Sequence, residues 1–151
     1  MIVRRVEIDD YKEMMELMKE FSGHYGMGLE PNESGFYNVF RMVLFNGVGF
    51  VALKDERIIG AIGGTYHNNL FNDTVIVLTE LFWYVKPEFR GTNAGGRLFL
   101  EYEKAGYAGA DYMTMTLLDT SVKSLDNGLK KRGFEQKERM YIKWRGSQLL
   151  S

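Results

Sequence analysis

Residues 75–100, VIVLTELFWYVKPEFRGTNAGGRLFL, hold the pattern that decides the fold of this chain. The first eleven are mostly β-branched and aromatic, which predicts a buried strand. Pro87 cannot donate to a sheet ladder and favours an extended Lys86, so the strand should end there. A glycine-rich turn follows, and residues 97–104 have the composition of an amphipathic helix. This arrangement would aim free backbone N–H groups and the positive end of a helix at a phosphate group.

The rest of the chain predicts one domain spanning residues 1–151, which is long enough for its own core. We expect Asp9 or Asp10 to cap the first helix. Alternating strands and crossover helices indicate an α/β fold of the α+β type, with a central mixed, mostly antiparallel sheet flanked by helices. The pattern predicts strands at 2–8, 48–53, 58–66, 75–85, 112–118 and 134–144, and helices at 11–21, about 32–45, 97–104 and 121–132.

Composition narrows the classes of function. A net charge of -1 gives no reason to expect nucleic acid or an anionic membrane as partner. The absence of cysteine excludes disulfides, thiolate metal sites and a cysteine nucleophile. His24 and His67 are isolated from carboxylate patterns, so no metal is expected. No signal peptide or apolar run of membrane-spanning length is visible, and we therefore expect a cytoplasmic protein.

The turn after the central strand resembles a known motif. Residues 85–100 are similar to the acyl-CoA-binding motif of the GNAT superfamily of N-acyltransferases, commonly written Arg/Gln-x-x-Gly-x-Gly/Ala. Arg90 takes its first place and Gly95 its last, while Asn93 replaces the usual middle glycine. Asparagine tolerates the left-handed backbone region better than other non-glycine residues. The order of elements and the Gly-Phe pair at 133–134, after a helix, add to the resemblance.

The resemblance implies acetyl-CoA as co-substrate. The turn and the helix start would bind its pyrophosphate, and backbone atoms at the end of the central strand would bind its pantetheine arm. The alternative is an ordinary strand–helix turn with a solvated arginine. The residues expected to bind the cofactor are Trp83, Tyr84, Val85, Arg90, Gly91, Thr92, Asn93, Ala94, Gly95 and Gly96.

Glu80 is the candidate general base, because it is the one charged residue in the run 75–85, whose other residues are all apolar or aromatic except Thr79, and such surroundings raise a carboxyl pKa. It could instead face solvent or pair with a basic side chain. The general acid is less clear. The tyrosine that the family often carries before the Gly-Phe pair is Leu129 here. Tyr141 is therefore the candidate acid, Tyr112 is another, and a thiolate leaving without a dedicated acid remains open.

The acceptor should contact the segments at 22–34 and 67–74, where Glu30, Glu33 and Asp73 could attract a cationic amine. The resemblance thus predicts an N-acetyltransferase that moves an acetyl group to a primary amine, either a small molecule or a protein lysine or N-terminus. Without cysteine, the transfer would be direct, in a ternary complex. The alternative is a non-catalytic acyl-CoA-binding or interaction module with the same fold. A homodimer paired through strand edges is compatible with either.

Overall fold

The structure, a computed structural model, describes residues 1–25, 28–118, 123–143 and 145, in two compact units divided after Met115. The first unit carries a sheet with three helices, and the second carries one helix. The prediction of one domain over residues 1–151 stays a prediction. The elements are β1 Ile2–Arg5, α1 Tyr11–Tyr25, α2 Glu33–Asn46, β2 Gly47–Lys54, β3 Arg57–Asn68, β4 Ile76–Val85, α3 Ala94–Gly109, β5 Tyr112–Thr114 and α4 Lys123–Lys131.

The sheet of the first unit has five strands in the order of the chain, β1-β2-β3-β4-β5. The first three pairings are antiparallel, and β4 pairs with β5 in parallel. A parallel pairing requires a crossover, and α3 supplies it. The predicted α/β class with a mixed, mostly antiparallel sheet is therefore confirmed.

Two apolar clusters fix the helices to opposite faces of this sheet. Helices α1 and α2 cover one face, where Phe40 packs with Phe82 and Tyr84 of β4. Helix α3 covers the other face, where Leu98 and Tyr102 pack with neighbouring strands. Both clusters consist of buried side chains, so each helix is held by removal of apolar area from water. No helix among the described residues has the length and apolarity needed to cross a membrane.

The N-terminal cap differs from the prediction. Strand β1 ends at Arg5, and a short 3-10 helix, Ile8–Asp10, precedes α1. The Asp10 carboxylate accepts from the backbone N–H of Glu7 at 2.8 Å and from the Arg4 guanidinium at 2.8 and 2.9 Å. Burial alone would raise the pKa of Asp10, but these hydrogen bonds outweigh burial and lower it. Asp10 therefore fixes the 3-10 turn rather than the first turn of α1.

The C-terminal strands were predicted too long. Strand β5 covers only three residues, and described residues 134–143 form no strand. Met140, Tyr141 and Ile142 are exposed, so no apolar burial offsets the entropy cost of ordering this charged segment. The strand predicted from the alternating pattern at 134–143 is wrong, because a strand also needs the edge of another strand with which to pair. The end of the predicted strand at Trp144 and residues 121–122 of the predicted helix lie outside the described residues. A homodimer stays a prediction.

Candidate functional site

The sheet opens between β4 and β5. The two strands pair only over Val77–Thr79 and Tyr112–Thr114. Strand β4 then continues for six residues to Val85, still paired with β3 on its other side. In the part of the chain that the structure describes, its β5-facing edge has no strand partner from Glu80 onward. We call this opening the β4 cleft.

Backbone groups of β4 point into the cleft at alternate residues. The N–H of Lys86 donates to the Ile59 carbonyl at 2.9 Å, which makes that pair a hydrogen-bonded pair of the β3–β4 ladder. Such pairs alternate with pairs whose N–H and C=O groups point away from the partner strand. Trp83 and Val85 therefore present their backbone groups to the cleft. The Val85 carbonyl already accepts from Arg90 Nε at 2.9 Å, so the backbone of Trp83 and the N–H of Val85 remain to bind a ligand.

A β-bulge lies where the cleft begins. Gly63 pairs with Phe82 and Gly64 with Glu80, so Leu81 is an extra residue on β4. One extra residue switches the face to which each later side chain points. Leu78 accordingly packs toward α3 before the bulge, whereas Phe82 packs toward α1 and α2 after it. The bulge thus bends the strand at the mouth of the cleft.

The glycine-rich turn ends in a helix N-terminus with unpaired amides. Gly91 has φ +85°, a left-handed conformation that favours glycine. Asn93 has φ −85°, and its side chain forms no cap hydrogen bond. The residue of this turn in the left-handed region is therefore Gly91, whereas the sequence also allowed Asn93 to adopt that conformation. The Ala94 N–H is bonded to Thr92 Oγ1 at 3.3 Å. In the first turn of α3, the N–H groups of Gly95 and Gly96 lack an intrahelical partner, and they face any anion bound there.

Gly95 also lies directly over the end of β4. A Cβ built on Gly95 would be 3.7 Å from Val85 Cγ2 and 4.0 Å from Trp83 Nε1. The Trp83 ring is itself held against Phe99 of α3, with ring centroids 5.6 Å apart. The turn and the strand end, two parts of the predicted cofactor site, are therefore adjacent. A ligand at the helix start can reach the open backbone of β4 without leaving this surface.

Arg90 is held against Tyr84 at the end of β4. Its guanidinium carbon lies 5.3 Å from the centre of the Tyr84 ring, and the Phe21 ring stacks on Tyr84 with ring centroids 5.0 Å apart. Burial raises the pKa of Tyr84 to about 12, the Glu20 carboxylate adds to the rise, and Arg90 opposes it. The buried Tyr84 ring therefore supports the Arg90 guanidinium.

Glu80, the candidate base, lies at the mouth of the cleft and is half-buried. It is close enough to Tyr102 of α3 to raise the pKa of that phenol, although burial is the larger cause. The Tyr102 hydroxyl donates to the Thr114 carbonyl at 3.4 Å, so it bridges α3 to the last paired residue of β5. The role of Glu80 as base stays a prediction.

Tyr141, the candidate acid, belongs to the second unit and is 83% exposed. Its role also stays a prediction. Of the predicted acceptor segments, residues 26–27 lie outside the described residues. In the segment at 22–34, Ser22 Oγ donates to the Leu29 carbonyl at 2.8 Å. Among the described residues, no group of three or more His, Asp or Glu side chains is placed to hold a metal ion.

Sequence reasoning missed the bulge, Tyr102 and a hydrogen bond between His67 and Thr79. Adjacent glycines inside the third strand, Gly63 and Gly64, were the available signal, since glycine within a strand often marks a bulge or a close approach. The other two depend on how α3 and the strands face one another, which periodicity alone does not determine.

Comparison with known protein families covers the part of the chain that holds this candidate site. The model of the acetyltransferase (GNAT) family matches residues 11–125, which include the β4 cleft and the glycine-rich turn. The comparison with curated proteins gave no match.

Solved structures share the fold at low sequence identity. A probable acetyltransferase is 18% identical with a TM-score of 0.74, covering 97% of this chain and 99% of that one. An aminoglycoside acetyltransferase, meta-AAC0020, from an uncultured soil metagenomic sample and in complex with sisomicin, is 14% identical with a TM-score of 0.72, covering 95% and 96%. Aminoglycoside N-acetyltransferase AAC(6')-Iy in complex with CoA is 16% identical with a TM-score of 0.68, covering 96% and 99%. The family match, over more than half of the sequence, shows that this chain belongs to the GNAT family of acetyltransferases.

Proposed function

We propose that this protein is an acetyl-CoA-dependent N-acetyltransferase that acts on a primary amine. The observation that carries the proposal is the adjacency of an open strand edge and an uncapped helix start. The backbone of Trp83 and the amides of Gly95 and Gly96 offer hydrogen bonds along one continuous surface. A long ligand with an amide-containing arm and a pyrophosphate requires this combination.

The cofactor contacts follow from this surface. The pyrophosphate binds the N–H groups at the start of α3 and the Arg90 guanidinium, which Tyr84 and the Val85 carbonyl hold in place. The pantetheine arm adds to the β4 edge as a strand would. The acetyl thioester then lies near Leu81 and Glu80, where the bulge opens the strand. That a relative with the same fold binds CoA supports this assignment.

In the proposed reaction, the amine attacks the thioester directly in a ternary complex. The chain has no cysteine to form a cysteinyl acyl-enzyme. Glu80 accepts a proton from the attacking nitrogen, directly or through water, and Tyr141 is the proposed donor to the leaving thiolate. Two solved relatives of the same fold carry the name aminoglycoside acetyltransferase, which supports a small-molecule amine as acceptor. A protein lysine or N-terminus is the other acceptor class.

Calorimetric titration with acetyl-CoA, CoA, ATP and NAD tests the cofactor assignment. We expect micromolar binding of acetyl-CoA and CoA and no signal for ATP or NAD. Gly95→Glu should abolish binding, because it places a carboxylate where the pyrophosphate would lie. Tyr107→Glu adds the same charge at an exposed position near the other end of α3, and it should bind as the wild type does.

Glu80→Gln separates binding from chemistry. It should bind acetyl-CoA normally and release CoA thiol more slowly by about 10² to 10⁴, the usual contribution of general base catalysis. Binding without turnover with any amine, in the wild type, would favour the non-catalytic acyl-CoA-binding module. Absence of binding would refute both functions.

A further inference from the structure

His67 of β3 and Thr79 of β4 form a hydrogen-bonded pair, which we call the His67–Thr79 dyad. His67 Nε2 lies 2.5 Å from Thr79 Oγ1, and Nδ1 lies 3.0 Å from the Asn68 carbonyl oxygen. Because a carbonyl oxygen can only accept, Nδ1 carries the proton. In the neutral ring Nε2 then accepts from the Thr79 hydroxyl. The imidazole is thus oriented as a base toward that hydroxyl.

The dyad lies at the mouth of the β4 cleft. Thr79 is the last β4 residue that pairs with β5, and the next residue is Glu80. Successive residues of a strand point to opposite faces, so Thr79 and Glu80 flank the cleft from the two faces of the sheet. His67 is exposed and Thr79 is half-buried, so a proton taken up by the dyad can pass on to water.

The chemistry of amine acetylation calls for more than one proton acceptor. A primary amine is an ammonium ion near neutral pH, with the ordinary pKa of a lysine near 10.4. It must lose one proton before it can attack and a second when the amide forms. Glu80, in the function proposed above, accounts for one of these protons. We propose that the His67–Thr79 dyad removes the first, from the incoming ammonium group; this inference rests on the proposed function.

The proton balance of this step is simple. The ammonium group passes a proton to Thr79 Oγ1 while the Thr79 hydroxyl proton moves to His67 Nε2. The products are a neutral amine, an intact threonine and an imidazolium whose Nδ1–H still donates to the Asn68 carbonyl. The imidazolium returns its extra proton to water, and no other reactant is needed.

The elements around the dyad carry charged groups of both signs. They are Glu80 on β4, Asp73 in the β3–β4 loop, Asp111 before β5, Arg57 at the far end of β3, Lys54 on β2, Glu33 and Arg41 on α2, Lys12, Glu13, Glu16, Lys19, Glu20 and the titratable His24 on α1, and Arg97, Glu101, Glu103 and Lys104 on α3. Arg57 is paired with Glu13, Asp111 accepts from the Ile76 N–H, and the Arg41 guanidinium lies over the Tyr37 and Phe45 rings.

A pH profile separates this role from a structural one. His67→Gln keeps a polar side chain beside Thr79 but cannot accept a proton. We expect acetyl transfer from acetyl-CoA to fall by about 10²-fold near neutral pH. The deficit should shrink as pH approaches the pKa of the amine, because water then removes the proton. A variant damaged only in structure would show the same deficit at every pH.

Matched variants test each member of the dyad. Thr79→Val, which removes the hydroxyl at nearly constant shape, should reproduce the His67→Gln profile, and Thr79→Ser should restore the wild-type profile. His24→Gln removes the other histidine of the chain. The transfer rate of this variant should fall toward low pH in the same way as that of the wild type, regardless of its maximal rate. Release of CoA thiol, with sisomicin and a lysine-containing peptide as acceptor probes, is the measurement.

The outcomes distinguish the dyad from the proposed function. Transfer by the wild type together with a pH-independent deficit in His67→Gln, or none, would overturn the dyad and leave the N-acetyltransferase standing. Binding of acetyl-CoA without transfer to either probe would overturn the dyad while leaving the cofactor site standing. Absence of acetyl-CoA binding would overturn both. The result that supports the dyad is a deficit that closes at high pH in both His67→Gln and Thr79→Val.

Discussion

Gly64 is the residue on which the mouth of the cleft depends most directly. A Cβ built there would lie 2.6 Å from the Thr79 carbonyl oxygen and 2.8 Å from the Tyr102 hydroxyl. Both distances are shorter than real Cβ contacts. The Thr79 backbone cannot easily move away, because Thr79 pairs with β3 on one side and with β5 on the other. The absence of a side chain at Gly64 is therefore what lets Tyr102 reach the end of β5.

Gly64→Ala should destabilise the protein by about 1–3 kcal/mol, the usual cost of overpacking a buried site. Urea unfolding followed by circular dichroism measures this change. Gly23→Ala is the matched control, because a Cβ at Gly23 in α1 meets nothing within 4 Å. It should stabilise by about 0.5–1 kcal/mol through helix propensity. Equal effects of the two substitutions would contradict the close approach at Gly64.

Tyr84 makes the stability of the protein depend on pH in the alkaline range. An unfolded tyrosine titrates near pH 10, whereas burial raises the pKa of Tyr84 to about 12. Between these values the unfolded chain loses the phenol proton and the folded chain keeps it. Stability is therefore complete below pH 10 and falls as pH rises toward 12, by at most about 1.4 kcal/mol per pH unit from this group.

Tyr84→Phe should flatten this alkaline fall while it keeps the ring under Arg90. Some slope should remain, because burial also raises the pKa of Tyr102. Urea midpoints at pH 9, 10 and 11 give the slope. Tyr107→Phe removes a hydroxyl from a side chain that is 76% exposed, so it should keep the wild-type slope. A slope for Tyr84→Phe as steep as that of the wild type would show that its phenol is not buried in solution.

At the scale of elements, the sequence predicted most helices and strands but not how they end. The apolar run before Pro87 placed β4 within one residue of its observed start, because a buried strand needs such a run. The alternation at 112–118 and 134–144 was misleading. An alternating sequence pattern indicates which side chains could be buried. A strand, however, forms only where the edge of another strand is free to pair with it, and β4 pairs with β5 at only three residues.

The bulge at Leu81 is the element-scale feature that opens the cleft. Deletion of Leu81 should leave a protein that folds, because Gly63–Phe82 and Gly64–Glu80 keep their pairing and Glu80 and Phe82 keep opposite faces. A continuous ladder would remove the bend, so we expect transfer from acetyl-CoA to be lost. Circular dichroism and thiol release measure the two effects. A deletion variant that folds and still transfers acetyl groups would show that the bulge does not form the site.

At the scale of the whole molecule, a local pattern in the sequence predicted the glycine-rich turn before a helix, whereas contacts between distant residues could not be predicted. The residues from Arg90 to Gly96 are contiguous, so a local pattern contains the helix start and its free amides. His67 reaches Thr79 from a neighbouring strand, and Tyr102 of α3 reaches Thr114 of β5, so both contacts exist only through the topology. A sequence shows the residue types at such a site, but their distances are a property of the folded chain.

Because the proposed cofactor would bind only where the β4 edge and the α3 start are both formed, it should stabilise the folded state as a whole. Acetyl-CoA at 100 times its Kd adds about 2.7 kcal/mol to the free energy of unfolding. For a chain of this size that corresponds to a rise in Tm of roughly 5–10 °C, measurable by differential scanning fluorimetry. Gly95→Glu should show no rise, and Tyr107→Glu should show the full rise. Equal shifts for both would mean that the ligand binds elsewhere than at the start of α3.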